Sequence, residues 1–185
     1  LSSLSATGER IESPCQMTAV AATSRIADAL AAQLDVVPGG DLRGADATET
    51  ALYGATSWRT ADVVAFNTHG LLGGELTERF AGEPALVLSP PSGSCPDSST
   101  PPSNEDGLLT SSEIYTLGLN AELVLLTACN TAAIDADIGE PLSGLARAFF
   151  ANGARAILVS NWRALVGDGS IEGPTEIFTE RLIDD

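Results

Sequence analysis

The feature that most constrains this chain is the run Glu122-Leu123-Val124-Leu125-Leu126-Thr127, which closes at Ala128-Cys129. A short, nearly continuous stretch of apolar, β-prone residues suits a strand buried on both faces, as in parallel sheets. In open parallel sheets, ligands bind just past the carboxyl ends of the strands. That rule puts Cys129 at the rim where chemistry is done. The stretch Ala61-Asp62-Val63-Val64-Ala65-Phe66 has the same form and leads through Asn67 and Thr68 to His69, the only histidine in the chain. Two neighbouring strands of this kind bring an imidazole and a thiol to one rim. A cysteine nucleophile needs a partner that moves protons near neutral pH, and histidine is the usual one.

The rest of the chain alternates helix and strand signals, which predicts an α/β fold with a mostly parallel sheet and helices on both faces. Ile26, Leu30 and Leu34 line one helical face. Short strands are expected at residues 17–22 and 35–37, the second ended by Pro38-Gly39-Gly40. Thr48 suits an N-cap for a helix running to about residue 56, and Trp58 leads into the His69 strand. Gly70, Gly73 and Gly74 read as a flexible turn. Pro84 precedes a strand over 85–89. Residues 90–105 form a Pro/Ser-rich loop that cannot pack a core. Thr110-Ser111-Ser112-Glu113 reads as a capping box. Pro141 suits the first turn of a helix whose buried stripe is Leu142, Leu145, Ala146 and Phe149. Gly153 fits its C′ position. A buried strand over 155–160 and a last helix over 175–183 complete the pattern.

Composition excludes several functions. The formal net charge of −16 argues against nucleic acid or an anionic membrane as a partner, because both need basic patches. All nine basic residues are arginine, so a phosphate-binding or Schiff-base lysine is absent. The cysteines, Cys15, Cys95 and Cys129, are odd in number and lack metal-ligand spacing. No metal or cofactor is therefore expected, and a reduced, cytoplasmic setting is the simpler assumption. No apolar run approaches the length of a membrane span, and no basic, apolar leader is present. The start at Leu1 reads as a piece of a longer chain. Residues 1–185 are expected to form one domain, with residues 1–16 as a tail or loop.

Several blocks then follow in order: Asn67-Thr68-His69-Gly70, Ala85-Leu86-Val87-Leu88-Ser89, Asp106-Gly107-Leu108-Leu109-Thr110, and Thr127-Ala128-Cys129-Asn130-Thr131. Next come Gly139-Glu140-Pro141-Leu142-Ser143-Gly144-Leu145-Ala146-Arg147-Ala148-Phe149 and Gly153-Ala154-Arg155-Ala156-Ile157-Leu158-Val159-Ser160-Asn161-Trp162. Over residues 47–165 the chain resembles a CHAT domain, a caspase-like module of clan CD often found beside TPR repeats. Caspases carry their histidine roughly 50 residues before the cysteine; here the interval is 60.

The resemblance implies a caspase-like fold and a cysteine endopeptidase. Cys129 would be the nucleophile and His69 the general base and acid. The backbone N–H groups of Gly70 and Cys129 would form the oxyanion hole. Thr127 stands where clan members that prefer basic residues often carry an acid, so that source of selectivity is missing. Asp106, Trp162 and Arg163 are further substrate-binding candidates. The acids Asp135, Asp137 and Glu140 read first as solvated loop residues. A protein substrate is implied, with a regulatory domain or sensor, of TPR type, as partner. The alternatives are a CHAT module that binds partners without cleaving them, and a small-molecule binding domain in which the pairing of His69 and Cys129 is coincidental. CHAT domains usually continue past the Trp-containing strand into further helices and strands, and such a continuation is expected beyond the one helix read over 175–183.

Overall fold

The computed structural model describes residues 15, 17, 23–71, 83–91, 103, 105–127, 144–159 and 181. In chain order its helices are α1 (Thr23–Gln33), α2 (Glu49–Gly54), α3 (Ser111–Ile114) and α4 (Gly144–Ala151). Its strands are β1 (Val63–Phe66), β2 (Gly70–Leu71), β3 (Ala85–Val87), β4 (Leu108–Thr110), β5 (Leu123–Leu126) and β6 (Ala156–Val159). The strands form two sheets. One is parallel in the order β1-β5-β6, and the other is antiparallel in the order β2-β3-β4.

In the parallel sheet only β5 has the expected burial; β1 and β6 are largely half-buried, with Ala65 and Ala156 exposed. The middle strand β5 sends alternate side chains to opposite faces, as a period of two requires. Leu125 faces Ile26 and Leu30 of α1, with Val63, Leu123 and Leu158 beside them. Val124 and Leu126 face the larger core, which holds Phe66, Leu145, Ala148 and Phe149. Helices α1 and α4 therefore cover opposite faces. Phe66 and Phe149 stack at a tilt of 44° with centroids 5.4 Å apart, an arrangement favoured by the ring quadrupoles.

Helix α4 stops where the sequence predicts. The Ala154 N–H reaches the Phe149 carbonyl at 3.0 Å, and the Gly153 N–H reaches Phe150 at 3.2 Å. This is a Schellman motif with glycine at C′. Gly153 has φ +110°, and a Cβ there would lie 2.4 Å from the Leu119 carbonyl oxygen. Asn152 ties the same helix end to the chain entering β5: its Oδ1 accepts from the Leu119 N–H at 2.5 Å, and its Nδ2 donates to the Tyr115 carbonyl at 2.7 Å.

Several expectations are corrected. Helix α1 ends at Gln33, so Leu34 falls outside it and is exposed. Residues 35–37 form no strand, and Val36 is also exposed. Gly70 is not in a flexible turn but in β2, paired with Leu86. A second, antiparallel sheet follows the His69 strand, and Leu108–Thr110 is one of its strands. The expected strand over 17–22, the loop over 90–105 and the last helix lie wholly or mostly outside the described residues, as do Gly73, Gly74, Pro141 and Leu142.

Candidate active site

The parallel pair β1/β5 sets the site's geometry. Their register runs from Val63↔Leu123 to Phe66↔Leu126, a constant offset of 60 positions. The two strands therefore end level with each other. Just past the ends, the Thr127 N–H donates to the Phe66 carbonyl at 3.1 Å. The Thr127 hydroxyl donates to Asn67 Oδ1. Both exits leave the sheet stitched together, side by side at the inter-strand spacing of about 5 Å. His69 lies three positions after Phe66, and Cys129 lies three after Leu126. The offset that sets the register is thus the one that separates His69 from Cys129. Cys129 itself lies outside the described residues, as do Trp162, Arg163, Asp135, Asp137 and Glu140.

His69 is half-buried. Its carbonyl accepts the Val87 N–H at 2.9 Å, and the neighbouring Thr68 hydroxyl donates to the Val87 carbonyl. The backbone carrying the imidazole is therefore docked on β3 from two sides. Because Val87 donates to the residue before Gly70, Gly70 and Leu86 form a non-hydrogen-bonded pair. In such a pair the N–H and C=O point away from the partner strand, so the Gly70 N–H points away from β3. Among the described residues strand β2 is an edge of its sheet, which leaves that N–H directed away from the hairpin.

Asn67, Thr68 and His69 line a cavity of about 510 Å³. Its walls are largely apolar and include Leu52, Trp58, Val64 and Leu88. Trp58 is fixed there because its Nε1–H donates to the buried Leu52 carbonyl at 2.7 Å.

The remaining sequence candidates fall elsewhere. Thr127 uses its hydroxyl in the clamp with Asn67. Asp106 is buried and does not line the cavity with His69. Its Oδ1 accepts the Leu108 N–H at 3.1 Å, a turn in which the carboxylate stands in for a backbone acceptor. Cys15 is disulfide-bonded and lines the cavity. That bond departs from the reduced setting assumed from the cysteine count. Among the described residues, no helix is long and apolar enough to cross a membrane.

One buried acid was not foreseen. Glu49 is 1% exposed, and its Oε2 accepts the Gly107 N–H at 2.7 Å. Its Oε1 has no hydrogen-bond partner among the described residues. Burial pushes its carboxyl up to about 8, against the lowering effect of the Gly107 bond, and Glu113, Asp106 and Glu105 add to the rise. In sequence it is an ordinary acid in the first turn of a helix. Nothing in the pattern marks it as buried.

The CHAT domain family model matches residues 11–182, wider on both sides than the motif blocks, and the chain belongs to that family. No match was found among curated proteins or among solved structures. CHAT domains are a caspase-like, peptidase-related class, and the α/β architecture with its largely parallel core sheet is compatible with that class.

Proposed function

We propose that this chain is a cysteine endopeptidase whose catalytic pair is His69 and Cys129. The observation that carries the reading is the shared offset: β1 and β5 pair 60 positions apart, and so do the two residues beyond their ends. The orientation of the Gly70 N–H supports it further.

In this reading His69 takes the thiol proton, and the Cys129 sulfur attacks the carbonyl carbon of the scissile amide. The oxyanion is held by the N–H groups of Gly70 and Cys129. His69 then gives its proton to the leaving amine, which departs as the C–N bond breaks. Water, deprotonated by His69, cleaves the thioester, releasing the acid and restoring the thiol. A side chain at position 70 would crowd the approaching carbonyl, which suits glycine. Trp162 and Arg163 would contact substrate. The substrate is a protein, and cleavage is controlled by another domain or a sensor, of TPR type. The proposal requires a free thiol at Cys129, and so a Cys15 disulfide that does not involve it.

A thiol-reactive peptide probe tests the proposal on the full-length, activated protein. It is expected to label wild type at Cys129 and to leave Cys129→Ala unlabelled. His69→Ala should slow labelling by about 100-fold or more, the usual contribution of a general base. Absence of labelling, or a non-reducing peptide map joining Cys15 to Cys129, overturns the proposal and favours a CHAT module that binds without cleaving.

A further inference from the structure

A chain of hydrogen bonds runs from a buried acid to the histidine. Glu49 Oε2 accepts the Gly107 N–H at 2.7 Å. The Gly107 carbonyl accepts the Leu88 N–H at 2.8 Å. Leu88 follows Val87, whose N–H donates to the His69 carbonyl at 2.9 Å and whose carbonyl accepts the Thr68 hydroxyl. A second strand of contacts runs alongside. The Ser89 N–H donates to the Ala47 carbonyl at 2.9 Å, and the Thr50 hydroxyl donates to Glu105 Oε1 at 2.7 Å. The start of α2 is thus fastened to the far ends of β3 and β4, and β3 carries the His69 backbone.

The clamp leaves the turn little freedom. Gly107 has φ +84°, and a Cβ there would meet Pro90 N at 3.1 Å and the Leu88 carbonyl oxygen at 3.2 Å. Only glycine fits at this position, which lets the turn come close to Leu88 and Pro90.

We propose that Glu49 is a positioning residue for His69: its buried carboxyl clamps the Asp106–Gly107 turn, and that turn, through Leu88 and Val87, fixes the backbone that aims the imidazole. The proposal rests on His69 being catalytic, but its geometry does not depend on Cys129. The groups facing Glu49 are Asp106 and Glu105 from the turn, Glu113 from α3, and Tyr53 from α2 itself. Apart from the Tyr53 phenol, all are carboxyls. An ionised Glu49 would be a buried charge among acids, so burial favours the uncharged form, whereas the Gly107 N–H bond itself favours the carboxylate.

His69 is the only histidine in the chain, so one imidazole signal in a proton–carbon NMR spectrum reports its setting without assignment. The experiment follows that signal against pH in a Cys129→Ala background, which removes thiol ionisation near the ring. The Glu49 chain is expected to show an inflection near pH 8 besides the imidazole's own titration. Glu49→Gln, whose amide oxygen can still accept from Gly107 but cannot ionise, should keep the neutral-pH signal and lose that inflection. Glu49→Leu, which cannot accept at all, should shift the signal at every pH. In the Cys129 chain, cleavage of a peptide should lose kcat by up to about 100-fold in Glu49→Leu with KM little changed, and recover in Glu49→Gln. An imidazole titration that is the same with Glu49 and with Glu49→Gln overturns the proposal, whether or not Glu49→Leu folds. Loss of cleavage in all chains with the inflection intact would instead count against the peptidase reading alone.

Discussion

The two sheets of this molecule are held together in different ways. The parallel sheet β1-β5-β6 is set by apolar packing, with α1 on one face and α4 on the other. The antiparallel sheet β2-β3-β4 has strands of two or three residues and only a small cluster of its own, Leu71, Ala85 and Leu108. Leu86 and Leu109 also join the larger core, and polar bonds add to that burial at the ends of the strands. Glu49 holds Gly107, Thr68 holds Val87, and Glu83 bonds to the Ser111 and Ser112 hydroxyls and the Ser112 N–H. The comparison teaches a division of labour. The apolar sheet launches the candidate catalytic residues from level strand ends, and the polar hairpin fixes the backbone that carries one of them. Packing tolerates pH, whereas carboxyl clamps do not.

The largest expected effect follows from that last difference. In the folded protein Glu49 keeps its proton up to about 8, against an ordinary value of 4.5. Between these values the folded state binds more protons than the unfolded chain, so stability falls as pH rises. The contribution is fully present below 4.5 and gone above about 8. Its steepest slope is about 1.4 kcal/mol per pH unit, the limit for one proton. Glu83 has the opposite sign. Burial raises its carboxyl, but the bonds from Ser112 and Ser111 outweigh burial and hold it below the ordinary range. Its contribution is present at neutral pH and lost as pH falls through that lowered value. Urea unfolding from pH 5 to 9 should show wild type losing stability relative to Glu49→Gln as pH rises. Parallel curves for the two chains would show that the hairpin does not depend on the Glu49 proton.

Next in size is the packed side. Phe149 is fully buried, against Phe66 of β1, and Phe149→Ala should cost about 3–5 kcal/mol. Leu86 of β3 and Leu109 of β4 belong to the same core as Phe149. Both sheets should therefore lose amide protection together in hydrogen exchange. Retained protection in β3 and β4 alone would show the hairpin to be an independent unit, and the contrast between the sheets would become sharper than drawn here.

What was legible in the sequence follows the same division. The runs that became β1 and β5 could be read because continuous apolar residues have few other uses. Gly153 could be read because a helix end followed by glycine has a local mechanism. Gly70 could not, since its two-residue strand exists only because β3 lies alongside, and Gly73 and Gly74 nearby suggested a turn. Residues 35–37 misled in the other direction, because an Asp-Val-Val triplet has strand composition but found no partner among the described residues, and Val36 stayed exposed. Glu49 was invisible for a third reason. Burial of a first-turn acid depends on which turn packs over it, and that turn lies 58 residues away. Level strand ends were foreseen only as a possibility, because register is a property of two strands and neither one carries it alone.

The smallest effect tests the polar side where sequence and structure agree best. The Thr110 hydroxyl accepts the Glu113 N–H at 3.3 Å, while Glu113 Oε2 accepts the Thr110 N–H at 2.8 Å. These reciprocal bonds are the capping box at the start of α3. Thr110→Ala should cost about 1 kcal/mol, the usual loss for a cap, and Thr110→Ser should restore most of it. Because Thr110 also ends β4, amide exchange should quicken in α3 and β4 and stay unchanged in β1 and β5. An equal rise in the parallel sheet would mean that the hairpin's polar bonds support the whole core. The two sheets would then differ in chemistry but not in what depends on them.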